Sequence, residues 1–468
     1  MLKGPSRLKN RRSMLLRRQS ALAGLLAAAM LVTTPTGAQA ASLTAAAASG
    51  PASFAANCGT APVTMQGLFE TGFPDIVDLT QLFTKQYPNV KWSIREDPFA
   101  TITSNAPLIL SGPNPPDLMR MPQITGLVKD HLLKNMDGYF NTFGWDTFPA
   151  SDLEQMRVAP SGAPQGVGPL WALGINYSMT GVFYNKALAA KVGMTAAPAT
   201  LAQLDAVLAK AKADGILPVE QFDSSGNGGL IFPLQYLMAD YTIQASGSVS
   251  PINDWVLDEP HATVVTPANL QAVEHLDTWI KDGYFNPDAN AVSYATMMSR
   301  FDHGTGLVIF DGDWESGGFD STYPGKFGFF LFPPLNAGGK QGAMSAPLTY
   351  GIAATAKHAN CAAFFLNWVE TNSAARALNV AVGGSNPGGP ASLPIPPVKP
   401  GTVTSQTLAA GQVIAKDNGG MGFIANATGP IDAEAWTPAV QELFGGHLSP
   451  EGVLKNVQAD YLQELSAP

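Results

Sequence analysis

Between residues 62 and 94 the chain changes hydrophobic period twice, and this limits its fold more than any other feature. "PVTMQGLF" (62–69) is a short apolar strand. Ile76, Leu79 and Phe83 then recur at helical spacing, and "YPNVKWSI" (87–94) returns to strand character. Strand, helix and strand within so short a span predict a βαβ unit and a parallel sheet. The alternation continues. "PDLMRM" (116–121) and "TGVFYN" (180–185) read as strands. Thr200 and Gln203 form a capping box for a helix with Leu201, Leu204 and Leu208 on one face and Gly215 at its exit. Further helices are expected over 230–238 and 270–282, and strands at "GLVIF" (306–310) and "KFGFFLFPP" (326–334). "YGIAAT" (350–355) leads into a helix through Phe364, Phe365 and Trp368. Ser449 and Pro450 open a last helix with Val453, Leu454, Val457 and Tyr461 on one face. The Pro- and Gly-rich stretch 383–402 is a loop, and there is no internal repeat.

A chain of 468 residues, 46% hydrophobic and 13% charged, fits a globular protein of two or more domains. The N-terminus reads as an export signal over 1–40: a basic region from Lys3 to Arg18, an apolar stretch from Ala21 to Val32, then small residues at Ala38 and Ala40. The apolar stretch is too short to span a bilayer. Ordinary Sec export and twin-arginine export, from "RRSML" (11–15), both remain open. The Ala- and Ser-rich residues 41–60 form a flexible leader. The first 40 residues hold seven Lys or Arg and no acid, so the remainder carries 20 basic against 36 acidic side chains. So acidic a surface disfavours nucleic acid and anionic membrane faces as partners. Cys58 and Cys361 can be a disulfide or two free thiols, and lipidation of Cys58 is a further alternative that Asn57 disfavours.

Several chemistries lack their residues. There is no phosphate-binding glycine loop, no dinucleotide fingerprint and no paired histidine motif, so neither a cofactor nor a metal is expected. "GGSNP" (383–387) starts like a nucleophile elbow, but Pro387 breaks it. "GDWESGG" (312–318) places Asp313 and Glu315 around Trp314 just after the 306–310 strand. If the segment were extended, the two acids would share a face with about 6–7 Å between Cα atoms. A glycosidase acid pair and a ligand-gripping turn are both compatible with that pattern.

The order of segments resembles the extracellular solute-binding proteins of ABC transporters, family 1, the sugar-binding, maltose-binding-protein-like type. The resemblance rests on "LFTKQYPNVKW", "SGPNPPDLM", "GVFYNKALAAKVGMTAAPATLAQLDAVLAKAKADGILPV", "IKDGYFNP", "RFDHGTGLVIFDGDWES" and "AVQELFGGHLSPEGVLKNVQADYLQEL", which span about 62–465. It implies an α/β fold of two lobes with a hinge and an interlobe ligand cleft. Lobe 1 would hold 61–176 and 332–356, and lobe 2 would hold 177–331 and 357–468. It also implies a monomer that binds a sugar, with a non-sugar small molecule as the alternative ligand of the same fold, delivers it to permease subunits and acts as no enzyme, exported and either free or lipid-anchored.

A sugar packs its C–H faces on aromatic rings, and its hydroxyls need partners as they leave water. By resemblance the cleft candidates are Phe69, Glu70, Thr71, Arg120, Gln123, Trp171, Asn176, Tyr177, Asn227, Asp313, Trp314, Tyr350 and Trp436. Trp314 matches a tryptophan of the family pattern. Met121 stands where the family often has an aromatic. Trp92, Trp279 and Trp368 read as core, and Asp117 as a local hydrogen-bonding group.

Overall fold

The computed structural model describes residues 53–223 and 228–466. The expected signal, most of the leader, and Asn227 lie outside the described residues. The βαβ unit is present. β1 (Val63–Glu70) and β2 (Val90–Asp97) pair in parallel from Val63↔Val90 to Glu70↔Asp97. The helix between them, Pro74–Gln86, buries Ile76, Leu79 and Phe83, the stripe its sequence spacing lays on one side. β3 (Leu118–Arg120) lies parallel on the other flank of β1. Asp117 closes the strand's entry, accepting from the amides of Gln66 and His358.

Past β3 the sheet changes direction. A small antiparallel hairpin, β4 (Arg157–Val158) with β5 (Gln165–Leu170), precedes β6 (Ala172–Asn185). β6 is buried along almost its whole length. Its first half pairs antiparallel with β9 (Ala343–Gly351), from Ala172↔Gly351 to Met179↔Ser345. Its second half pairs with β7 (Val308–Gly312) and β8 (Phe327–Phe330). β9 is joined to β3 at its far end (Arg120↔Tyr350) and to β10 (Gly420–Met421) at its start. Two long strands therefore run through both halves of the molecule, so that the halves are joined by sheet as well as by loops.

Two main cores flank these crossings. One gathers Met65, Phe69, Ile76 and Phe83 with Tyr350, Phe364, Phe365 and Trp368. The other gathers Phe183, Leu204, Trp279, Phe310, Met421 and Trp436. This packing moves two expected boundaries. The helix Ala359–Thr371, assigned from sequence to lobe 2, lies in the first core, because Phe364, Phe365 and Trp368 all pack around Phe83. The return segment expected at 332–356 starts in the second core with Phe332, Ala343 and Met344, and reaches the first at Leu348.

Cys58 and Cys361 form a disulfide that fastens the N-terminal turn Phe54–Cys58 to this same helix. Phe54 stacks on Tyr87 beside it, ring centroids 4.1 Å apart. A sulfur engaged in that bond is unavailable for lipid attachment. Among the described residues no helix is long and apolar enough to cross a membrane.

Candidate functional site

The "GDWESGG" stretch is not extended. β7 ends at Gly312, and Asp313–Glu315 form a single 3-10 turn that feeds the helix Ser316–Thr322. The two carboxylates therefore diverge instead of sharing a face. Asp313 is wholly buried and accepts a 2.6 Å hydrogen bond from Ser385 Oγ. Glu315 accepts a short hydrogen bond from Tyr294, whose hydroxyl also bonds Asp311. Burial pushes Glu315 up to about 7, and it raises Asp311 and Asp313 well above the carboxylate range. In a glycosidase pair both carboxyls must reach the scissile bond. Asp313 has no open face with which to do so.

Trp314 between them is only partly buried. Its indole lies over Gly312, where any Cβ would collide with the ring. Its Nε1 donates to Tyr294 at 2.9 Å. Phe73 and Phe232 flank it, each with its ring centroid 6.2 Å away, and Phe423 continues the row at 5.9 Å from Phe232. Phe73 packs on the first core, and the other three belong to or border the second. The row Phe73–Trp314–Phe232–Phe423 therefore bridges the two halves with aromatic surface.

Around this row the halves also touch through polar groups. Gln123 Nε2 donates to Ala425 O at 3.0 Å. Gln165 Nε2 donates to Val256 O at 3.0 Å and to Ala427 O at 2.8 Å. The cavity lined by Met121, Gln123, Gln155, Gln165, Val256 and Asn426 holds about 30 Å³, which a water fills and a sugar ring does not. A larger cavity of about 540 Å³ opens elsewhere, around Asp205, Tyr241, His275 and Trp279. Its polar groups already serve one another: His275 bridges Tyr241 and Asp205 at 3.0 Å each, and Trp279 Nε1 donates to Asp205. It has neither the aromatic row nor a position between the halves.

Most of the thirteen sequence candidates turn inward. Phe69 and Tyr350 pack edge to face in the first core, each fully buried, so neither offers a ring to a ligand. Trp436 is fully buried against Trp255. Trp171 is buried with its Nε1 donating to Val158 O. Each of these four rings is packed into one of the buried hydrophobic clusters. Glu70 and Arg120 form a buried ion pair at 3.0 Å. Asn176 donates to Asp75 and Asn379, and Tyr177 donates to Asp152 O, which ties down the crossing strand. Thr71 is exposed in the loop that carries Phe73. Gln123 and Trp314 stand at the junction between the halves. Phe73, Phe232, Phe423 and Tyr294 are not among the sequence candidates, and Ser385 enters there only as the serine of the broken elbow "GGSNP". Phe73 had a usable signal: it follows the first strand directly, two residues past Thr71, with Pro74 opening the next helix.

Buried acids elsewhere set the pH response. Burial raises Asp75 to about 7, Asp223 to about 8 and Asp240 to about 9. Neither carboxylate oxygen of Asp240 has a hydrogen-bond partner. Ordinary carboxylates titrate near 4, so from there upward the folded chain holds protons that the unfolded chain has lost. Stability is then greatest in acid and falls as pH rises through 7 to 9, each such group contributing about 1.4 kcal/mol per pH unit between its two pKa values. Thermal unfolding is expected several degrees higher near pH 5 than near pH 8. A melting temperature that is flat or rising over that range would mean these acids are ionised in the fold.

A two-lobed α/β molecule with crossing strands and an aromatic junction between its halves has the architecture of a periplasmic binding protein. The chain belongs to the bacterial extracellular solute-binding protein family, whose model matches residues 61–376. Among solved structures, a chitin oligosaccharide binding protein superposes with a TM-score of 0.69 at 17% identity, over 87% of this chain and 100% of that one. A maltose-bound T. maritima MalE3 gives 0.68 at 14% identity, over 86% and 99%. The binding protein RafE in complex with raffinose gives 0.65 at 17% identity, over 86% and 99%. At these identities the likeness is one of fold. No curated protein matches the sequence.

Proposed function

We propose that this chain is the exported substrate-binding component of an ABC importer, and that it captures a mono- or oligosaccharide between its lobes and delivers it intact to a membrane permease. The aromatic row Phe73–Trp314–Phe232–Phe423 carries this reading, because a sugar's C–H faces need ring surface, Phe73, Trp314 and Phe423 are part-exposed around the buried Phe232, and the row sits where the two halves meet. Polar edges for hydroxyls are close by at Tyr294 and Gln123. The basic region and apolar stretch within residues 1–40 agree with export. The similar folds of a chitin oligosaccharide binding protein, a maltose-bound MalE3 and a raffinose-bound RafE add weight. Entry of a sugar requires the lobes to part, because Gln123 and Gln165 on one side bond directly to Ala425 O, Val256 O and Ala427 O on the other. Binding is then coupled to a hinge motion about β6 and β9.

The test is a thermal-shift screen with galactose, maltose, raffinose, xylo-oligosaccharides and chitin oligosaccharides. A ligand in excess over its Kd raises the melting temperature by mass action. At least one sugar is expected to do so in a saturable way. Uniform indifference to the whole panel would count against the carbohydrate reading.

A further inference from the structure

The loop that begins "GGSNPGG" (383–389) failed as a nucleophile elbow, yet it is built into the molecule more tightly than a surface loop needs to be. It leaves the helix Ser373–Gly383 through Gly384, whose φ of +72° suits glycine. A Cβ there would collide with Ser316 Oγ and lie 2.9 Å from Asp313 O. The Gly384 carbonyl accepts from Ser316 Oγ at 3.3 Å and from Thr407 Oγ1 at 3.0 Å. Ser385 is 2% exposed and donates to Asp313 Oδ1 at 2.6 Å, while its oxygen lies 3.4 Å from Ser178 Oγ on β6. The Asn386 carbonyl accepts from the Tyr177 amide at 2.8 Å, also on β6.

These contacts hold the Trp314 turn at both ends. Ser385 holds the Asp313 side chain on one side of the indole, and Gly384 holds Ser316 on the other. Ser385 and Asn386 are in turn docked on β6, the strand that runs through both halves. We propose that Ser385 is a positioning residue for the Trp314 platform, and that residues 384–386 link the platform's orientation to the crossing strand. Ser385 touches no ligand in this scheme. Its hydroxyl fixes Asp313, Asp313 fixes the 3-10 turn, and the turn aims the ring. Its bearing on affinity rests on the reading of Trp314 as a sugar platform.

The test labels the full chain with 5-fluorotryptophan. The eight tryptophans give fluorine resonances, and Trp314→Phe assigns the one that matters. Ser385→Ala is expected to shift and broaden the Trp314 resonance while leaving the core tryptophans 279, 368 and 436 in place. Ser385→Thr keeps the hydroxyl and is expected to restore the wild-type signal. Asp313→Asn keeps an acceptor for Ser385 and serves as a second hydroxyl-preserving variant, expected to perturb the resonance less than Ser385→Ala. An unmoved Trp314 resonance in Ser385→Ala, or equal displacement of all eight, would overturn the proposal. With any sugar that scores in the thermal screen, Ser385→Ala is expected to lose about tenfold in affinity. The fluorine result needs no ligand. If no sugar binds but Trp314 moves, the positioning role stands and the carbohydrate reading fails.

Discussion

Trp314→Ala is expected to weaken sugar binding by about 100-fold, or roughly 3 kcal/mol, the loss typical of a central aromatic anchor. The indole occupies the middle of the row, between Phe73 of one half and Phe232 of the other. Removing it takes away the stacking surface and leaves the Tyr294 hydroxyl without one of its partners. The fold should survive, because Trp314 is only partly buried and belongs to neither core proper. Titration calorimetry with the best sugar of the screen gives the affinity, and a cooperative melt checks the fold. Unchanged affinity in a folded variant would remove Trp314 from the site.

Arg120→Met is expected to be the most damaging single change to stability, at about 3–5 kcal/mol. Arg120 and Glu70 face each other at 3.0 Å with side chains only 11% and 9% exposed. Arg120 also donates to Thr349 O on β9. Burial already raises the Glu70 carboxyl more than Arg120 lowers it. Without the guanidinium, Glu70 must either remain charged and unpaired or take up a proton. The cost is therefore larger at pH 8 than at pH 5, because protonation relieves it in acid. Urea unfolding at the two pH values measures this. Adding Glu70→Gln to Arg120→Met should recover part of the loss, since the double variant leaves no buried charge. A single variant as stable as wild type at pH 8 would show that the pair contributes nothing.

Local structure was legible wherever it depended on neighbours in the chain. The spacing of Ile76, Leu79 and Phe83 gave the first helix, and Thr200 caps the helix Leu201–Ala213 as expected, accepting from the Gln203 amide. Gln203 completes the box one residue further out, accepting from the Ala199 amide. Ser449 and Pro450 likewise begin the closing helix Pro450–Ser466. What failed depended on contacts distant in sequence. Trp436 looks like a cleft aromatic until Trp255, some 180 residues earlier, is found against its ring. Tyr350 is buried by Phe69 in the same way. No spacing rule joins Phe73 to Trp314, or Ser385 to Asp313, because β6 and β9 must first bring their segments together. Family resemblance pointed to a cleft between the lobes and to Trp314, which stands between Phe73 of one half and Phe232 of the other. It did not reveal which of the other aromatic rings face that place.

The acid pair of "GDWESGG" shows the same limit. An extended reading gave two carboxylates on one face, whereas the 3-10 turn sends Asp313 into the interior and Glu315 toward Tyr294. That change in local geometry gives the two carboxylates separate partners, Ser385 and Tyr294, on either side of the Trp314 ring.

The most direct test of capture without chemistry is titration calorimetry with the best oligosaccharide of the screen, followed by chromatography of the recovered sugar after prolonged incubation. One saturable site per chain, with the oligosaccharide returned intact, is the predicted result. Absence of binding across the panel, or recovery of hydrolysed fragments, would contradict it.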